Sequence, residues 1–109
     1  MRLRNLFVLV VIALLAGKSA AGQDAVLSCS VVDTANLPVP GAAAILKNVA
    51  TGITTESVSN GQGLVSFASA RPGVYELMVT LDGFAPVTVT ALRLEVGETR
   101  AVTAKLQPS

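Results

Sequence analysis

Histidine is absent from all 109 residues, which removes the commonest general base and the commonest metal ligand together. Ser-His-Asp, Cys-His and zinc-peptidase arrangements cannot be built from such a chain. The remaining acid–base groups are seven carboxylates, Asp24, Asp33, Glu56, Glu76, Asp82, Glu95 and Glu98. They stand singly in turns or on polar strand positions, and isolated carboxylates are seldom buried, so all are read as solvated surface charge. No catalytic residue, cofactor-binding residue or metal ligand is assigned, and the protein is not expected to be an enzyme.

Four further candidates carry some chemistry. Cys29 is the sole cysteine, a reactive or intermolecularly paired thiol on one reading. Its parity with Leu27 and Val31 favours an inert core thiol, because a free Cys packs as a small hydrophobe. Asp33-Thr34-Ala35-Asn36 resembles a calcium-loop fragment but lacks the extra acidic ligands a hard cation needs, which leaves an Asx turn. Lys47 and Lys105 are strand lysines of outward parity and are read as solvated. For stacking against sugars there is no tryptophan. Phe67 and Tyr75 have inward parity, so Phe84, beside Gly83 at the start of a strand, is the one possible contact residue.

These residues belong to a chain with an address label. Arg2 and Arg4 precede an unbroken apolar run over residues 6–16, and Ser19-Ala20-Ala21 supplies a small-residue cleavage site. Residues 1–21 are therefore expected to be a signal peptide and residues 22–109 one domain, with a cut before Gln23 fitting nearly as well as one before Gly22. An uncleaved anchor is the alternative, although the run would rise only about 16 Å as a helix against a hydrocarbon core of ~30 Å. Cleavage leaves five basic side chains (Lys47, Arg71, Arg93, Arg100, Lys105) against seven acidic ones, a formal charge of −2. Scattered positives and a negative balance argue against nucleic acid as a partner. No disulfide within the chain can form from one cysteine, so stability has to come from packing.

Beyond the leader, Gly, Pro, Asn and Asp punctuate short strands about every ten residues, the spacing of an all-β sandwich or barrel. Seven strands are expected, at residues 25–33, 42–49, 53–59, 64–69, 74–81, 84–94 and 99–106. The third is rich in Thr and Ser and reads as an edge. Pro72-Gly73 is expected to form a type II turn. Asn60-Gly61-Gln62-Gly63 offers two glycines able to take positive φ. Between Val87, Val89 and Leu92, Leu94 the apolar parity switches near Ala91, which requires a bulge or a change of sheet because a regular strand has period two.

Several of these turns together resemble a known family. Cys29-Ser30-Val31-Val32-Asp33, Pro38-Val39-Pro40-Gly41-Ala42, Leu46-Lys47-Asn48-Val49-Ala50-Thr51-Gly52, Ser59-Asn60-Gly61-Gln62-Gly63, Arg71-Pro72-Gly73-Val74-Tyr75, Asp82-Gly83-Phe84 and Val96-Gly97-Glu98-Thr99 follow the order seen in carboxypeptidase regulatory-like domains. The resemblance implies an all-β, seven-stranded antiparallel Greek-key sandwich of transthyretin-like kind, also grouped with carbohydrate-binding-like folds. Such domains accompany metallocarboxypeptidases and precede the plug of TonB-dependent transporters. The motifs are turn motifs, specific for fold rather than for function. The expectation is thus a secreted or periplasmic, non-enzymatic accessory module of the bacterial cell envelope, with an envelope protein or a glycan as partner and no stable membrane span after cleavage. The alternatives are a weak carbohydrate-binding module and the N-terminal fragment of a TonB-dependent transporter.

Overall fold

Ala25, Leu27, Cys29 and Val31 are fully buried while the residues between them are only half-buried, the period-two signature of a strand with one face on a core. They lie in a computed structural model that describes residues 24–109; the expected signal peptide and both candidate cleavage positions fall outside the described residues. The strands are β1 (Ala25–Val32), β2 (Ala43–Asn48), β3 (Thr54–Val58), β4 (Leu64–Ala70), β5 (Gly73–Thr80), β6 (Phe84–Ala85), β7 (Val87–Leu94), β8 (Thr99–Lys105) and β9 (Gln107–Pro108). One sheet has the order β4-β1-β8, a second the order β3-β2-β5-β7, and β6 with β9 forms a two-stranded flap. Inward residues of both large sheets, among them Leu27, Val65, Leu77 and Leu94, join in one hydrophobic cluster. The protein is an all-β sandwich, as expected.

The strand count and the pairing sense both need correction. Among the described residues there are nine strands rather than seven. Pro86 has no N–H to give to a ladder, so the expected strand over residues 84–94 divides into β6 and β7, and Gln107-Pro108 pairs with Phe84-Ala85 as β9. The sheets are also not wholly antiparallel, since β1 and β8 run parallel from Val26↔Thr99 to Val32↔Lys105. Alternation reports which face of a strand is buried but carries no sign of pairing direction.

The parity switch resolves as a bulge. Tyr75 faces Leu92 and Leu77 faces Val89, so Thr90 and Ala91 together oppose Glu76, and Ala91 adopts φ 54°. The extra residue returns Leu92 and Leu94 to the core beside the partly buried Val87 and Val89. The type II turn expected at Pro72-Gly73 is not found. Gly73 has φ 158° and already pairs with Leu94 as the first residue of β5, whereas the third position of such a turn needs about +80°. That geometry occurs instead at Asp82-Gly83, where Gly83 has φ 88° and the Phe84 amide donates to Leu81 O at 3.0 Å.

Two turns are built alike. The Ala35 and Leu37 amides donate to Asp33 Oδ1 at 2.8 and 3.0 Å, and the Gln62 and Leu64 amides to Asn60 Oδ1 at 2.9 and 3.1 Å. Each ends on a residue with positive φ, Asn36 at 63° and Gly63 at 74°. Asp33 is therefore the Asx-turn residue expected of it. Only one of the two glycines in the second turn needs its freedom. A Cβ at Gly63 would come within 2.6 Å of Val31 O, while one at Gly61 would meet nothing within 4 Å.

Between these turns lies Ser59, the one polar side chain in the buried set. Its Oγ accepts from the Ala42 amide and donates to Val39 O, both at 2.8 Å, and its amide donates to Ala42 O at 2.9 Å. The hydroxyl thus completes backbone groups that the two prolines at positions 38 and 40 keep out of any regular ladder.

Gly63→Ala is expected to cost roughly 2 kcal/mol or more, from left-handed strain and the clash with Val31 O. In thermal unfolding that is a fall of roughly 8 °C or more in the midpoint. Gly61→Ala should leave the midpoint nearly unchanged.

Candidate functional site

β3 is an edge of the four-stranded sheet, as its polar sequence suggested, and it is almost entirely exposed. Its ladder with β2 is regular from Ala43↔Val58 to Lys47↔Thr54. The Ser59 amide donates to Ala42 O at 2.9 Å and the Asn48 amide to Ile53 O at 2.9 Å. These bonds set the phase of an antiparallel ladder: residues 53, 55, 57 and 59 turn their backbone groups towards β2. Thr54, Glu56 and Val58 therefore turn theirs away from the sheet, with no strand among the described residues to receive them.

The side-chain phase is the complement. Residues 53, 55, 57 and 59 point inward, but their cover thins along the strand. Ser59 is 5% exposed, Ser57 is intermediate, Thr55 is exposed and Ile53 is 67% exposed. The cover is thus complete beside the Asn60 turn, where the chain passes from one sheet to the other, and is lost towards Ile53. The space between β3 and β4 is a groove of about 730 Å³. Leu46, Phe67, Ala70 and Tyr75 form its nearly buried floor, with Arg71 at its wall and Glu56, whose side chain is on the outer face of β3, at its rim.

The aromatic residues fall as their parities indicated, with one refinement. Phe67 and Tyr75 are buried, and Tyr75 Oη donates to Arg71 O at 2.7 Å. Phe84 is half-buried, packs against the core cluster and faces Pro108 of β9. It sits on the wall of a second hollow of about 460 Å³, together with Asp82, Thr80 and Gly41. A ring packed against the core in that way is not an open stacking platform.

Cys29 is fully buried. Burial raises its pKa above the ordinary thiol value, with a hydrogen bond from the Ala104 backbone acting the other way. Among the described residues no three His, Cys, Asp or Glu side chains gather as a metal site, and there is no helix long and apolar enough to cross a membrane. The recorded ion pair, Arg100 to Glu98 at 4.0 Å, lies at the exposed β7–β8 turn.

The family model of the carboxypeptidase regulatory-like domain matches residues 26–107. The chain belongs to that family. No curated protein matches it in sequence. Among solved structures it is similar to a proposed carbohydrate-binding protein of Bacteroides uniformis, at 16% identity and TM-score 0.63, over 80% of this chain and 43% of that one. It is similar also to BcpA, the major pilin subunit of Bacillus cereus, at 15% identity and TM-score 0.63, over 80% and 31%. A third likeness is to 3-chlorocatechol 1,2-dioxygenase of Rhodococcus opacus, at 8% identity and TM-score 0.59, over 81% and 61%. The chain spans less than two thirds of each of these proteins, and at such identities the likeness shows the fold alone.

The edge was legible in the Thr and Ser content of residues 53–59, whereas the groove was not. Its far wall, Ser66, Ala68 and Ser69 of β4 with Arg71 beyond, reads in sequence only as another turn-bounded strand. Nothing local announces that β3 and β4 lie across from each other.

Folded protein at neutral pH should not react with an aromatic disulfide reagent at Cys29 and should label fully once denaturant is added. Because the folded pKa is raised, the thiol's contribution to stability is present below about pH 8.5, where the unfolded thiol begins to ionise. It is lost as pH rises through the folded value, which pH-dependent unfolding of the wild type against Cys29→Ala would read.

Proposed function

We propose that this domain is a non-catalytic interaction module of the bacterial cell envelope, secreted or periplasmic, which binds a partner protein by adding a strand to β3. The observation that carries this reading is the unguarded edge. Natural sheets protect their edges with bulges, prolines or charges. β4 carries a register shift opposite Ala25 and Leu27, and β7 carries the bulge at Ala91. β8 bears Arg100 and Lys105. β3 has no proline, no bulge and a single charge, Glu56, so its free N–H and C=O groups are available for β-augmentation, a mode that draws affinity from the backbone.

Placement of the free groups chooses the test. A proline at Thr55 would remove an N–H that β2 uses and so would damage the fold. Glu56→Pro removes an outward N–H, on an edge strand that tolerates proline. Tagged wild-type protein is expected to capture a partner from envelope extract, and Glu56→Pro to lose it while keeping its circular dichroism and thermal midpoint. Undiminished capture by a folded Glu56→Pro variant overturns the reading.

The second reading, weak recognition of a glycan, is favoured by the hollow beside Phe84, which that aromatic residue lines together with Asp82 and two glycines. It predicts heat on titration with cell-wall glycans that disappears in Phe84→Ala. Silence across a glycan panel disposes of it.

A further inference from the structure

We infer that the groove between β3 and β4 seats an extended partner segment that pairs with β3, sets a basic residue opposite Glu56, and points an apolar residue on either side of it into the groove. The inference rests on the edge-pairing reading above and specifies the partner. On a strand added to β3, the residue facing Glu56 shares the outer face of the sheet, and its two chain neighbours point to the other face. That other face is the groove.

Charge sets the central position. On the outer face the residue of β2 opposite Glu56 is the apolar Ile45. The ion pair recorded among the described residues, Arg100 with Glu98, does not involve Glu56. An incoming strand therefore meets a carboxylate without a cationic partner, and opposite charges directly across a ladder are favoured over like ones.

Apolarity sets the flanks. The inward side chains of β3 lose their cover progressively from Ser59 to Ile53, which is 67% exposed although its parity is that of the core. Beneath them Leu46, Phe67 and Tyr75 form the groove floor. Apolar side chains entering there would withdraw Ile53 from water, which is favourable in proportion to the area covered.

A second copy of this chain fits badly. The register that pairs the whole of β3 with itself in antiparallel sense brings Glu56 against Glu56, a destabilising like-charge pair. Shifted registers leave part of the edge unpaired.

The probes are fluorescent peptides with the core Thr-Val-Lys-Val-Thr, the same core with Glu for Lys, and the same core with Ser for both Val, each titrated by anisotropy against the full chain. The lysine peptide is expected to bind, and the glutamate peptide to bind about two- to fivefold more weakly, the range of a cross-strand charge pair. Glu56→Lys should reverse that order. Ile53→Ser should weaken the lysine peptide without lowering the thermal midpoint, and the serine peptide should bind poorly to every variant.

Three results overturn the inference. Binding that ignores both charges and Ile53, yet is lost in folded Glu56→Pro, leaves edge pairing standing and removes the groove and the basic residue. Binding that survives Glu56→Pro removes both readings. Sedimentation that shows self-association blocked by Glu56→Pro, with no peptide bound, assigns the edge to a second copy.

Discussion

The buried face of β1 is the constraint on which the rest of the molecule depends. Ala25, Leu27, Cys29 and Val31 are wholly removed from water, so the backbone groups of that strand are shielded as well, and shielded N–H and C=O groups must find partners. β4 takes one side in antiparallel sense and β8 the other in parallel sense. Even the end of the strand is occupied, with Val32 O accepting the Leu106 amide at 2.8 Å and Val31 O accepting the Val39 amide at 2.9 Å. With one cysteine, itself inside this strand, no covalent staple shares the load. The second sheet is the lid that this face requires, and its own inward residues complete the cluster.

A sandwich held by its core leaves its corners to polar chemistry. The chain must leave one sheet and enter the other between β3 and β4 within five residues, 59–63. Ser59, Asn60 and Gly63 manage this by satisfying amides and carbonyls that no ladder reaches. Asn60 supplies one oxygen to two amides, and Gly63 supplies a left-handed backbone where a side chain would strike Val31 O. The tightness of that corner explains the groove at the opposite end of the same edge pair. Two twisted sheets joined closely at one corner tend to separate along their strands, and beyond Phe67 the inward residues next to Ile53 are as small as Thr55, Ser57 and Ala70.

What could be read from the sequence was what is local and periodic. Burial of Leu27, Cys29, Tyr75 and Leu77 follows from alternation alone, and the bulge at Ala91 follows from a break in it, because no regular strand can turn both Val89 and Leu92 inward. The edge character of β3 follows from composition. What could not be read depends on partners distant in the chain. Gly73 resembles the third residue of a type II turn, but pairing with Leu94 draws it into extended geometry. Pro86 divides a strand that alternation joins. The β1–β8 pair links residues about seventy positions apart, where hydrophobic pattern is silent on direction. The groove is of the same kind, since it exists only because two polar strands from different sheets end up side by side.

An open strand edge is a hazard as well as an opportunity, and the sequence of β3 reflects both. Any polypeptide that offers its backbone can pair there, including other copies of the domain, and natural sheets suppress this by making the edge irregular or charged. A bulge or a proline would close β3 to all partners. On the edge-pairing reading, a single carboxylate at its centre would discriminate instead: it would repel an identical strand in full register and penalise acidic ones, while leaving the backbone groups of Thr54 and Val58 open on either side. A lysine there would select the opposite partners by the same physics. On the same reading the exposed Ile53 would add a second filter, because only a strand that carries apolar side chains on its inner face gains from covering it. Specificity of this sort needs no pocket of converging polar groups, no metal and no nucleophile, which is consistent with a chain whose family motifs are all turns and whose reactive side chains are few, scattered or buried.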